Sequence, residues 1–162
     1  MKKPPKGWLR MTPSVYYEEP KAAIDWLGRA FGFEVRLKVE GEGGRIEHAE
    51  LGFGEGLVMI GTAGSVNPDK ATWQELYASP RAIGGKNTQG LAIFVDDADA
   101  HRARAAAAGA KILREPKTDD YGDEYWADRT YIAKDPEGHM WCFIERVRDP
   151  KSEADAEAKA AS

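Results

Sequence analysis

The sequence predicts an α+β fold: two paired βαβββ modules whose strands make a curved mixed sheet around a central cavity. Three observations predict it. A strand-helix-glycine-strands order occurs twice, with Gly109 following Gly32 by 77 residues, and the same offset lays Ala92 on Val15 and Gln89 on Thr12. Several short segments alternate apolar and polar residues, the period of a half-buried strand. Each helix-like segment stops at a glycine, the residue that most readily leaves a helix with positive φ. Two such modules form half-cups that enclose a site between them.

Taken in order, residues 1–10 hold Pro4, Pro5 and Gly7 and read as a flexible arm whose end Trp8 and Leu9 can pin. The first module spans 11–61. Its opening strand is 12–18 (TPSVYYE), short, β-branched and aromatic. Pro20 suits the first turn of a helix, and Ala23, Ile24, Trp26, Leu27, Ala30 and Phe31 recur at helical spacing up to Gly32. FEVRLKVE (33–40), RIEHAELGF (45–53) and GLVMIG (56–61) are strands, separated by turns at 41–44 and at Gly54-Glu55. The linker is 62–88, rich in Gly, Asn, Pro, Ser and Lys, with a short helix expected at 71–78 around Trp73. Linkers of this length are often functional.

The second module spans 89–147. GLAIFVDD opens it, an aspartate at 96 or 97 caps an Ala-rich helix, and AKILREP is a strand. KTDDYGDEYWAD (117–128) reads as a polar loop carrying aromatics. DRTYIAKD, a turn at Pro136-Glu137-Gly138 and HMWCFIE form a terminal hairpin. Residues 148–162 are charged and Ala-rich without an apolar stripe, hence a disordered tail.

Bulk properties bound the function. A net charge of −4 and a pI near 5.5 argue against a nucleic-acid partner. The single Cys142 excludes an intramolecular disulfide and fits a reducing compartment. The basic start lacks an apolar stretch behind it, and no run approaches the roughly 18 apolar residues of a membrane span. These features predict a soluble cytoplasmic protein with no membrane partner.

Candidate site residues follow from strand parity. His48 and Glu50 lie two apart and face one side, as acid-base pair or polar anchors, while Ala49 and Leu51 pack beneath the helix. Setting Met59 against Cys142 carries His48 to Tyr131 and makes Arg129 and Tyr131 the corresponding pair; Arg129 offers a planar fork to an anion or a salt bridge to a neighbouring carboxylate. The loop aromatics Trp73, Tyr77, Tyr121, Tyr125 and Trp126 are candidates for stacking on a flat ligand or for a dimer seam. The expected lining is therefore His48, Glu50, Met59, Arg129, Tyr131 and Cys142, with Tyr121 or Trp126 at the mouth. His101 and His139 read as structural, and Cys142 as an inert buried thiol. No phosphate-loop pattern is present.

The order of Gly32-Phe33, HAEL (48–51) with GEGLVMIG, VDDADA, and DPEGH before the last strand resembles the vicinal oxygen chelate superfamily, which includes glyoxalase I, bleomycin-resistance proteins and extradiol dioxygenases. The similarity covers about 11–146. It implies the paired βαβββ fold and a homodimer. Its metal-dependent members place ligands on the first and last strand of each module, which carry over here to Thr12, Met59, Gln89 and Cys142; of these only Gln89 is an ordinary ligand. No metal and no cofactor are therefore expected. The resemblance leaves two readings. One is a metal-free module that binds a small organic ligand; the other is a lyase, isomerase or dioxygenase, metal-dependent or using His48 and Glu50.

Overall fold

A computed structural model of the chain describes residues 1–64 and 75–151. Trp73, the start of the helix expected at 71–78, and the tail from 152 onward lie outside the described residues. The elements are β1 (Ser14–Tyr17), α1 (Pro20–Phe31), β2 (Glu34–Glu40), β3 (Ile46–Phe53) and β4 (Gly56–Thr62), then β5 (Leu91–Phe94), α2 (Ala98–Ala107), β6 (Lys111–Asp120), β7 (Ala127–Lys134) and β8 (Met140–Arg148). The two βαβββ modules fold as two four-stranded sheets of identical topology, β1-β4-β3-β2 and β5-β8-β7-β6. The first strand of each runs parallel to the last, and the rest are antiparallel.

Local chemistry sets the helix limits. Pro20 occupies the first turn of α1, and Gly32 leaves it at φ 85°, with the Gly32 and Phe33 amides returning to the Gly28 and Leu27 carbonyls. Asp97 caps α2 by accepting the Ala100 amide at 2.8 Å. β6 runs on to Asp120, four residues into the segment that reads as a loop: Lys117, Thr118 and Asp119 face Thr130, Arg129 and Asp128. This end of an edge strand is polar on both faces, so no apolar alternation marks it.

Each sheet turns its helix-bearing face inward, and the two faces share one core. Phe31 and Phe33 of the first module meet Trp141 and Phe143 of the second, with ring centroids 4.7–5.7 Å apart. The opposite faces open outward. Polar latches join the modules. Arg104 on α2 donates to the carbonyls of Gly28 and Arg29 in the last turn of α1, where the helix dipole favours a cation. Trp26 donates to the Ala108 carbonyl at 2.8 Å.

The DPEGH turn is the second latch. Asp135 accepts the Tyr17 hydroxyl at 2.7 Å and the Trp141 indole at 3.1 Å, along with the amides of Glu137 and His139. Glu137 accepts the amides of Glu18 and Glu19 at 2.8 Å, capping the start of α1 from the other module. His139 bonds the Tyr16 carbonyl at 2.8 Å. All three side chains are buried. The sequence motif is thus a brace between modules rather than a site.

Candidate functional site

The outer face of the first sheet is built by parity. Across β3 and β4, Glu50 faces Met59; across β1 and β4, Ser14 faces Met59 and Tyr16 faces Gly61. His48, Glu50, Met59, Ser14 and Tyr16 therefore share one surface, flanked on β2 by Leu37 and Val39. A pocket of about 350 Å³ opens there, lined by Ser14, Tyr16, Glu47, His48, Met59 and Gly61 among others, with Tyr77 at its side.

Glu50 is 4% exposed and is held from two sides. His48 Nε2 lies 3.3 Å from one carboxylate oxygen and Arg36 Nε 3.4 Å from the other. Such partners offset the desolvation of a buried carboxyl group. Arg36 also lies over the Trp8 ring and donates to the Gly7 carbonyl, while the Pro13 carbonyl accepts the Met59 amide. Gly7 and Trp8, in the segment expected as a flexible arm, thus pack on Arg36 at the β2 edge of this sheet. Arg36 carries no signal for this role in the sequence: a β-bulge between Val35 and Leu37 aims it. Ser14 and Tyr16 were within reach of the parity argument applied to β1, whereas nothing local to Tyr77 marks its place.

The outer face of the second sheet carries Cys142, Ile144 and Arg146 of β8 with Thr130 and Ile132 of β7. Trp126 belongs here: the Arg146 guanidinium sits 5.4 Å from both the Trp126 and Phe94 rings. Tyr121 packs 5.9 Å from Trp126, and Arg148 fixes their loop through Asp120 and the carbonyls of Gly122 and Tyr125. Burial pushes the Cys142 thiol above its ordinary pKa.

Two expected lining residues fall elsewhere. Tyr131 is fully buried on the helix side, with its hydroxyl 2.5 Å from His101 Nδ1, and burial holds its pKa well above the ordinary phenol value. Arg129 is also on that side, in a two-point ion pair with Asp99 at 2.6 and 2.8 Å. The reason is hairpin length. Glu50 faces Met59 nine residues on, but Ile132 faces Cys142 ten residues on. One extra residue in the second turn flips every side chain of β7 relative to β3, so Thr130 and Ile132 take the places of His48 and Glu50. The remaining residues are split: His48, Glu50 and Met59 share one outer face, and Cys142, Trp126 and Tyr121 belong to the other.

His101 joins the modules. The Phe31 carbonyl can only accept, so Nε2 donates to it at 2.9 Å and Nδ1 accepts the Tyr131 hydroxyl. Burial lowers its pKa against the opposing pull of that carbonyl.

A family model, "Glyoxalase/Bleomycin resistance protein/Dioxygenase superfamily", matches residues 11–143. The chain belongs to this superfamily. TioX from Micromonospora sp. ML1 is 31% identical, with 84% of this chain and 98% of that chain covered at a TM-score of 0.62. A superfamily member from Sphaerobacter thermophilus DSM 20745 shares the fold at 13% identity, 85% and 98% coverage and a TM-score of 0.58. An uncharacterized protein of Mycobacterium bovis is 27% identical over 139 residues, 86% of this chain and 84% of its own length.

The metal positions of the superfamily fit this chain poorly. The residues that face Met59 and Cys142 from the first strands are Ser14 and Ala92, not Thr12 and Gln89. Gln89 bonds Thr88 at 2.8 Å. A thioether, a hydroxyl, an alanine methyl and a thiol kept protonated by burial do not make a site for a hard or borderline divalent cation. Among the described residues no group of three or more His, Cys, Asp or Glu could hold a metal ion.

Proposed function

We propose that this superfamily member is a metal-free binding protein that holds a small organic molecule in the cup of the first module. The observation that carries the reading is the pocket beside His48: about 350 Å³, at the compact end of the range of small-molecule sites, with polar anchors set among aromatic and apolar walls. Glu50, clamped by Arg36, fixes His48 in place and leaves its ring half-exposed toward the pocket. Such an anchor orients a hydroxyl or amide group of a ligand without chemistry.

The protein acts as a homodimer. Each module opens its outer sheet face away from the chain's own core, so a cup is closed only by a second copy. Exposed Leu37, Val39, Phe94 and Trp126 supply apolar surface for this contact. Light scattering should give about twice the 17.9 kDa chain mass; the chain mass alone across micromolar concentrations would defeat the dimer.

The test of the binding reading is native mass spectrometry of protein purified without added metal or chelator, followed by a small-molecule screen. Ligand adducts on metal-free protein support it. About one Ni, Zn, Fe or Mn per chain would overturn it. The His48–Glu50 contact favours one second reading, an acid-base enzyme working without metal. In that case His48→Ala abolishes turnover and leaves binding largely intact.

A further inference from the structure

One wall of the first-module pocket is a pair of tyrosines. Tyr16 of β1 and Tyr77 stack with centroids 3.9 Å apart and planes 9° from parallel. Gly61 makes this possible. A Cβ there would stand 2.7 and 2.9 Å from two carbons of the Tyr16 ring, so only glycine lets that ring lie against β4. The Gly64 amide bonds the Tyr77 carbonyl at 3.0 Å, which fixes Tyr77 beside the end of β4. Met59 lines the same pocket and offers a polarizable thioether, a good neighbour for an aromatic ring. Among the described residues, Glu47 and His48 are the only ionisable side chains lining the pocket besides the tyrosines, and no Lys or Arg lines it; the Glu50 carboxylate stands behind His48.

We propose that this cup selects a flat aromatic ligand that carries no negative charge, lodged against the Tyr16–Tyr77 ring pair with His48 as its polar anchor, and that Gly61 sets the specificity by positioning that pair. The inference deepens the binding function proposed above and rests on it. A planar ring meets a planar wall and Met59 with the most contact per atom. Among the described residues the arginines nearest the lining, Arg45 and Arg36, are already engaged by Glu47 and Glu50, so an anion finds no unengaged cation to receive its charge. The anionic ligand that an arginine in the cup would have suited is disfavoured, because Arg129 lies on the helix side, paired with Asp99.

The experiment titrates the full-length protein near neutral pH with three probes, by calorimetry and by NMR of labelled tyrosine and glycine. 4-Aminoquinoline is flat and cationic near neutral pH, cyclohexylamine is cationic but not flat, and naphthoate is flat but anionic. Aminoquinoline should shift the Tyr16 and Gly61 signals and bind about tenfold more tightly than either control, the scale of one aromatic contact or one misplaced charge. Gly61→Ala should weaken it by about tenfold. Tyr77→Leu, which keeps bulk at a partly exposed position, should do the same and decides the matter if Gly61→Ala does not fold. Naphthoate binding as tightly as aminoquinoline, binding that leaves Tyr16 unshifted, or unchanged affinity in both variants would overturn the proposal. If non-aromatic compounds from the screen bind the metal-free protein at His48 while aminoquinoline does not, the ligand class is wrong and the binding function stands. If nothing binds and metal is present, both fail.

Discussion

Replacing Asp135 tests whether the DPEGH turn braces the modules. Its Oδ2 accepts the Tyr17 hydroxyl and the Trp141 indole N–H, and its Oδ1 accepts the amides of Glu137 and His139. Tyr17 and Trp141 are 1% and 0% exposed, so water does not replace the lost acceptor without entering the core. A stranded buried donor costs about 1–3 kcal/mol. The two backbone amides are buried as well, so the side-chain donors set a lower bound on the cost. Counting the two side-chain donors alone, Asp135→Ala should destabilise by about 2–6 kcal/mol. Asp135→Asn is milder. Its oxygen keeps the amides and its NH₂ can donate to the Tyr17 oxygen, which offsets part of the loss, but the Tyr17 O–H loses its acceptor and the Trp141 N–H faces a donor. About 1–2 kcal/mol is expected for that substitution. Urea unfolding followed by tryptophan fluorescence, at one fixed protein concentration because the proposed dimer would shift the midpoint, should rank wild type above Asn above Ala. A loss below about 1 kcal/mol for Asp135→Ala would refute the assignment of these donors to a single buried acceptor.

Four further outcomes follow from the same geometry. Glu137→Ala removes the acceptor for the Glu18 and Glu19 amides and should cost about 1–2 kcal/mol, the scale of a lost helix cap; hydrogen exchange should quicken at the first turn of α1 and not at α2. His101 is held neutral, with its folded pKa below the unfolded value of about 6.5. The unfolded state then binds more protons in acid, so stability should be unaffected above that pH and fall as the pH drops below it. Tyr131→Phe should leave the direction of this dependence and lower stability by about 1 kcal/mol at every pH, read from midpoints across a pH series. The Cys142 thiol, pushed up by burial, should alkylate with iodoacetamide at least about tenfold more slowly than free cysteine near neutral pH, followed by mass spectrometry; a rate equal to free cysteine would show an open, ionised thiol.

The sequence determined the repeat, the two helices with their glycine ends, and which residues of β3 face which way. Those are local facts: periodicities of 2 and 3.6, and the positive φ at Gly32, act within a few residues. It also marked His48 and Glu50 as neighbours on one face, which the contact at 3.3 Å now joins. It did not determine the face of Arg129 and Tyr131. That depends on whether nine or ten residues separate partners across a hairpin, and the pairing is a cooperative outcome of two strands rather than a property of either. Nor did it show that Asp135, Glu137 and His139 brace the first module, since their partners at residues 16–19 lie more than a hundred residues away in the chain. The bulge that sends Arg36 to Glu50, and the glycine that lets Tyr16 lie flat beneath Tyr77, likewise exist only after strands have paired. Side-chain period is written along one strand, but what a cup can hold is decided by register between strands, and register is tertiary.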